Sequence, residues 1–145
     1  MYDVVLKLHS YWAYLVLLVL IIAVVNALIK VFGDKEYEAK DFRIALFTLI
    51  VSHIQLLIGL VLYFVSDRFQ LWSELGGGVM KDSLLRLYLV EHPLVNIIAV
   101  ALITIGYSKH KKKLTSKTKL KPIAVFYSIA LVLLLSRIPW SIWLA

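Results

Sequence analysis

The 145-residue chain contains no cysteine. That absence excludes iron–sulfur clusters, covalently attached haem, disulfide exchange and thiol nucleophiles. Any redox chemistry must therefore use another group. The chain also shows no internal repeat of about 20 to 50 residues, which argues against a repeat architecture. Its length is too short for two domains.

Apolar residues are what the chain has in excess. They make up 61% of it, and its mean hydropathy of +0.86 is too high for a soluble domain. The chain contains four apolar blocks, and a bilayer-spanning helix needs about 20 such residues. We predict an all-α integral membrane protein, an antiparallel four-helix transmembrane bundle in a single domain 1–145, with helices at about 4–30, 42–65, 83–107 and 122–138.

The net charge of +7 is concentrated in two alternate connections. Basic connections next to membrane spans tend to be cytoplasmic, so we expect both termini and the connection from 66 to 83 to lie outside. The tryptophans fall on that outer side, where indole rings favour the headgroup region. We expect the basic residues to contact anionic lipid of the bilayer, and we expect no nucleic acid partner. The basic residues are Lys30, Lys35, Lys40, Arg43, Lys109, Lys111, Lys112, Lys113, Lys117, Lys119 and Lys121, and the tryptophans are Trp12, Trp72, Trp140 and Trp143.

Three of the four histidines lie inside predicted helices, where polar side chains are costly and usually functional. His9 lies in the first helix, His53 in the second and His92 in the third. The span 44–65 of the second helix contains no Lys, Arg, Asp or Glu, so a buried His53 would have to find its partner on another helix. The fourth histidine, His110, lies among the lysines, and we expect it to be solvated.

The third helix has further polar features around His92. Glu91 precedes His92 and Pro93 follows it. Because proline has no amide hydrogen, it should bend the helix and leave the carbonyl of Leu89 free. Asn96 follows His92 by four residues and so shares its face of the helix.

Paired neutral imidazoles inside a helical bundle are what a b-type haem requires as axial ligands. Two imidazoles on one iron hold their helix axes roughly 14 Å apart, whereas neighbouring helices pack about 8 to 10 Å apart. In an up-down bundle the first and third helices are diagonal, which favours His9 and His92 as ligands of the haem iron; His53 with His92 is the second choice. Arg86 and Arg137 lie toward the outer helix ends, where they could pair with the haem propionates.

Other interpretations of these residues stay open at this stage. The buried histidines could make purely structural hydrogen bonds. Glu91, His53 and Gln55 could form a proton path in a non-redox transporter or accessory subunit, and His53 could contact a quinone. No two of the three histidines share a helix at a spacing of three or four residues, which disfavours a site for a bare metal ion.

Three segments carry a family resemblance: LHSYWAYLVLL, HIQLLIGLVLYF and RLYLVEHPLVNIIAVALITIGYSKHKK. They resemble small four-helix membrane proteins of Bacteroidetes that are labelled cytochrome b or cytochrome b-like. The resemblance implies a protein of the bacterial inner membrane that binds one haem b, with His9 and His92 at the family's histidine positions and His53 as an additional one. We therefore expect electron exchange with a quinone or a redox partner protein, and a homo-oligomer is the alternative to a separate partner protein. A more distant similarity to membrane protoporphyrinogen oxidases and copper-resistance-D type bundles, based on the LH near the start of the first helix, leaves a haem-dependent oxidase as the alternative.

Overall fold

The structure, a computed structural model, describes residues 1–143. Four long helices run through it: α1 (Tyr2–Phe32), α2 (Ala39–Val65), α3 (Ser83–Lys112) and α4 (Ser116–Ser136). Each is long and apolar enough to cross a membrane, and residues 1–143 contain no strand. The predicted all-α membrane protein with a four-helix bundle is confirmed.

Polar side chains explain where three of the helices begin. At the start of α2, Glu38 and Asp41 each bond the other's backbone through their side chains. The carboxylate of Asp82 accepts two amide hydrogens from the first turn of α3. Thr115 and Thr118 form a second reciprocal pair ahead of α4. This pair makes α4 begin at Ser116, earlier than the predicted position near 122.

The four helices form a square in which each packs against two neighbours. α1 contacts α2 and α4, and α3 contacts the same two helices. α1 and α3 therefore stand at opposite corners, as expected for an up-down bundle. The alanines Ala23, Ala99 and Ala130 are almost fully buried and let the helices approach closely. Large apolar side chains such as Leu57 and Val132 point outward, where lipid tails are as apolar as they are.

The two ends of the bundle differ in their connections. One end, called the closed end below, carries the short connections 33–38 and 113–115. The other, called the cavity end, carries the start of α1, the connection 66–82 and the end of α4. The connection 66–82 folds into three short helical segments, Asp67–Gln70, Leu71–Leu75 and Gly76–Lys81. Val79 in the last of these is fully buried, so this connection packs onto the bundle.

An ion pair joins α1 to α2 at the closed end. The ammonium of Lys30 lies 2.6 Å from the carboxylate of Asp41, and both side chains are buried. The amide of Asn26 donates to the second oxygen of Asp41 at 2.7 Å. The Lys30 ammonium also reaches Glu38, at 3.2 Å. A buried charge pair needs such additional hydrogen bonds to offset the loss of water, and here they are present.

His110 is the one histidine whose predicted surroundings are wrong. It is fully buried rather than solvated, because α3 continues to Lys112 and packs His110 against Phe42 and Tyr37. Its Nδ1 donates to the carbonyl of Tyr107 at 2.6 Å, and its Nε2 accepts from the hydroxyl of Tyr37 at 3.0 Å. Burial and the nearby carboxylate of Asp41 raise the pKa of Tyr37, which keeps that hydroxyl protonated as a donor.

Candidate functional site

A cavity of about 450 Å³ lies between the four helices at the cavity end. This volume is in the range of small-molecule and cofactor pockets. All four long helices contribute to its wall, together with the connection 66–82 and the segment after α4. The wall is mostly apolar, and its principal polar members are His9, Ser52, Gln55, Arg68, His92 and Asn96. An apolar cavity with a few polar groups is typical of a site for a largely hydrophobic ligand.

The imidazoles of His9 and His92 lie close together on the wall of this cavity. Their ring centres are 6.2 Å apart, and the ring planes are nearly perpendicular, at 84°. One metal ion between two imidazoles produces a similar separation of about 6 Å, since each metal–nitrogen bond is about 2 Å and each ring centre lies about 1 Å behind its nitrogen. The two helices at opposite corners thus bring together the histidine pair that the sequence favours.

The backbone of α3 is irregular just before His92, as Pro93 predicts. The segment Leu87–Glu91 is π-helical, a local widening that often marks functional sites. The carbonyl of Leu89 accepts a hydrogen bond from the hydroxyl of Tyr63 on α2 at 2.9 Å. That hydroxyl in turn accepts from the indole N–H of Trp72 at 2.8 Å. The connection 66–82 is therefore tied to the irregular turn that presents His92.

The orientation of the His92 ring is set by α4. Its Nδ1 lies 2.8 Å from the carbonyl oxygen of Arg137, which can only accept a hydrogen bond. Nδ1 must therefore carry the proton, and Nε2 keeps its lone pair. The Arg137 carbonyl is free to accept because α4 ends at Ser136. Asn96 donates to the backbone carbonyl of His92, which adds a bond within α3 at this turn.

His9 is held by a bond to its backbone and by packing of its ring. The side-chain amide of Gln55 donates to the backbone carbonyl of His9 at 2.8 Å. Gly59 lies against the ring, and a Cβ added there would come within 3.2 Å of His9 Cε1. The glycine on α2 therefore makes room for the imidazole, as a small residue in a membrane helix does for a close neighbour.

Three buried polar atoms on the cavity wall have no hydrogen-bond partner among the residues that the structure describes: His9 Nδ1, Ser52 Oγ and Gln55 Oε1. In residues 1–143 the one other buried side-chain atom of this kind is Ser128 Oγ. Leaving a buried polar group unpaired costs about 1–3 kcal/mol. The clustering of these atoms in one cavity indicates that it is built to receive a ligand with polar groups.

His53, the alternative ligand, does not line the cavity. Its side chain is exposed on the surface of the bundle. Its Nδ1 donates to the carbonyl of Leu49 at 2.8 Å, and its Nε2 lies 3.4 Å from the hydroxyl of Thr104 on α3. Neither Glu91 nor Gln55 shares a direct hydrogen bond with His53 in the part of the chain that the structure describes.

The two arginines that the sequence predicts as propionate partners bind a carboxylate of the protein instead. Arg86 and Arg137 both pair with Glu91, at 2.9 Å and 3.7 Å, and neither side chain lines the cavity. Arg68 lines it instead. Sequence reasoning missed Arg68 because this residue lies outside the predicted helices. The one signal that could have indicated it is its position just after α2.

Chemically, the arrangement places two imidazoles close together in an apolar enclosure, with one lone pair fixed at His92 Nε2. Such a pair can hold a metal centre from two opposite sides. The resemblance to cytochrome b-like membrane proteins is a prediction from the three sequence segments and stays one. No protein-family model, no curated protein and no solved structure matches this chain.

Proposed function

We propose that this protein binds one haem b, with His9 and His92 as axial ligands, and that it transfers electrons. The observation that carries the proposal is the meeting of two imidazoles, from helices at opposite corners, with ring centres 6.2 Å apart. The apolar cavity of about 450 Å³ around them supports it. When bound there, the haem would supply reversible one-electron exchange.

A porphyrin suits this site better than a bare metal ion. Within residues 1–143 no cluster of three or more His, Asp or Glu side chains could hold an ion. A metal bound by His9 and His92 would therefore have to take its remaining ligands from another molecule. A porphyrin provides four nitrogens in one plane and leaves the two opposite positions for imidazoles.

The residues around the two histidines would act by orienting and shielding them. The Arg137 carbonyl fixes the tautomer of His92, and such a partner also makes the other ring nitrogen a better ligand. Val100 and Leu134 contribute apolar wall, and an apolar wall around a redox centre keeps water away and tunes its potential. Nδ1 of His9 has no hydrogen-bond partner among the described residues, which leaves this nitrogen available to a ligand.

We also propose that the closed end, with its lysines, faces the cytoplasm of the bacterial inner membrane, following the tendency of basic connections. The cavity and both termini would then lie near the outer face. A membrane quinone, a redox partner protein or a second copy of this chain would exchange electrons there. Fusion of a reporter that is active in one compartment only, placed at either terminus or in the 113–115 connection, tests this orientation.

Absorbance spectroscopy of protein purified in detergent tests the haem proposal. We expect a sharp Soret band and split visible bands after reduction by dithionite. His9→Ala and His92→Ala should each lose this spectrum while keeping their helical circular dichroism. His53→Ala is the matched control, since that ring lies outside the cavity, and it should keep the spectrum. Loss of haem in His53→Ala but not in His9→Ala would show that the ligand pair is wrong.

A further inference from the structure

Arg68 is the one residue with a formal charge on the cavity wall, taking the wall as formed by residues 1–143. The described lining contains no aspartate or glutamate to balance it. An uncompensated positive charge next to an apolar enclosure attracts a negatively charged group, because the low dielectric there strengthens the interaction. The charge of the cavity thus points to an anionic ligand.

The guanidinium of Arg68 is held by aromatic side chains of two other helices. Its central carbon lies 4.0 Å from the ring centre of Tyr88 on α3, a cation–π contact. One Nη lies 3.5 Å from the hydroxyl of Tyr2 on α1. The hydroxyl of Ser66 accepts from the Arg68 amide at 3.2 Å, which fixes the backbone as well. These contacts position the planar group and still leave N–H donors for a carboxylate.

The other two arginines at this end differ from Arg68 in their partners. Arg86 and Arg137 share Glu91, so their charges are already balanced in part. Arg68 pairs with no carboxylate among residues 1–143. A guanidinium that has no acidic partner in the described part of the chain and that lies over a tyrosine ring at a cavity wall is suited to bidentate binding of a carboxylate.

We infer that Arg68 binds a carboxylate of the ligand in this cavity, and that the cavity therefore selects an anionic amphiphile with a free acid group over a neutral one. The identification of that acid as a haem propionate rests on the function proposed above. A neutral quinone or an esterified porphyrin would leave the charge of Arg68 uncompensated. Selection by charge would thus distinguish the cofactor from the neutral lipids and quinones of the membrane.

Titration with two pairs of porphyrins tests the inference. One pair is metal-free protoporphyrin and its dimethyl ester, followed by porphyrin fluorescence, and the other is haem b and its dimethyl ester, followed by the Soret band. We expect the wild-type protein to bind each free acid about tenfold more tightly than its ester, the effect of one charge-assisted hydrogen-bonded pair. Arg68→Gln should lose this preference without weaker binding of the ester. Arg68→Lys should keep part of it.

Lys81→Gln is the matched control, because it removes a positive charge from the same connection without touching the cavity. It should bind all four porphyrins like the wild type. An unchanged acid preference in Arg68→Gln would overturn the inference, as would a loss of preference in Arg86→Gln with none in Arg68→Gln.

The two pairs also separate this inference from the proposed function. Acid preference for the metal-free porphyrin without the spectrum of a bis-imidazole haem would support Arg68 and contradict haem ligation by His9 and His92. A bis-imidazole spectrum with equal affinity for acid and ester would support haem ligation by His9 and His92 and contradict the role of Arg68. No binding of any of the four porphyrins by folded wild-type protein would contradict both.

Discussion

The two ends of the bundle differ in whether their buried polar groups have hydrogen-bond partners. At the closed end Lys30, Asp41 and His110 are buried, and each finds partners on a neighbouring element. At the cavity end the side-chain atoms His9 Nδ1, Ser52 Oγ and Gln55 Oε1 are buried without hydrogen-bond partners in residues 1–143. A satisfied network stabilises a particular packing, whereas unsatisfied groups reduce stability until something binds them.

The comparison shows that a buried histidine can be either a structural residue or a candidate ligand. His110 has hydrogen-bond partners at both ring nitrogens, so it has no lone pair to offer a ligand, and its role is structural. His92 uses one nitrogen to orient itself, and Nδ1 of His9 has no hydrogen-bond partner among residues 1–143. The number of free ring nitrogens, rather than burial itself, separates a structural histidine from a candidate ligand.

The largest loss of stability is expected from breaking the buried ion pair at the closed end. Asp41→Ala leaves the Lys30 ammonium buried with only the mostly exposed Glu38 as a counter-charge. Removing one partner of a buried ion pair costs about 3–5 kcal/mol, so the free energy of unfolding in detergent should fall by about this amount. Thermal or denaturant unfolding followed by circular dichroism measures it.

The control for Asp41→Ala is Lys117→Ala at the same end. Lys117 pairs with Asp34 at 3.4 Å, but both side chains are mostly exposed, and such pairs contribute less than about 1 kcal/mol. Equal destabilisation by the two variants would mean that the Lys30–Asp41 pair does not stabilise the closed end through its burial.

A smaller effect, confined to the cavity end, is expected from Gly59→Ala. The added methyl would come within 3.2 Å of His9 Cε1, and the imidazole would have to move by a few tenths of an ångström. Haem affinity should fall several-fold, while the free energy of unfolding of the haem-free protein should not fall, because alanine favours a helix over glycine by about 1 kcal/mol. Soret titration and unfolding curves measure the two quantities.

Gly77→Ala is the control for this glycine. No atom lies within 4 Å of a Cβ added at Gly77, so haem affinity should be unchanged. If Gly59→Ala also bound haem like the wild type, the close contact between Gly59 and the His9 ring would not matter for ligand binding.

The smallest change in stability is expected at Ser52. Its hydroxyl is buried but unpaired, so Ser52→Ala should change the free energy of unfolding of the haem-free protein by less than about 0.5 kcal/mol, or raise it. Thr48, one turn earlier on α2, donates to the carbonyl of Ile44 at 2.8 Å. Thr48→Val should therefore cost about 1 kcal/mol. A larger loss in Ser52→Ala than in Thr48→Val would contradict the contrast between satisfied and unsatisfied groups.

Features that depend on hydropathy and on local chain chemistry could be read from the sequence. The four membrane helices follow from the length of the apolar blocks, because each must satisfy its backbone within itself in lipid. The diagonal positions of α1 and α3 follow from short connections in an up-down bundle. The irregular turn before His92 follows from the missing amide of Pro93.

Features that depend on the rotation of each helix about its axis could not be read in this way. Hydropathy does not say which face of α2 turns inward when nearly all its residues are apolar, so the exposed position of His53 and the cavity position of Gln55 were undetermined. The burial of His110 depends on Phe42 and Tyr37, which come from a distant part of the chain.

The sequence by itself thus determined a four-helix membrane protein and the candidate pair His9 and His92, because hydrophobic length and helix order are properties of the chain taken in one dimension. The tertiary structure alone decided that the two rings meet in a cavity, that the Arg137 carbonyl orients His92, and that Arg68 brings the charge to the wall. Each of these depends on side chains that are remote in sequence and meet only when the packed helices fix their mutual rotation and depth.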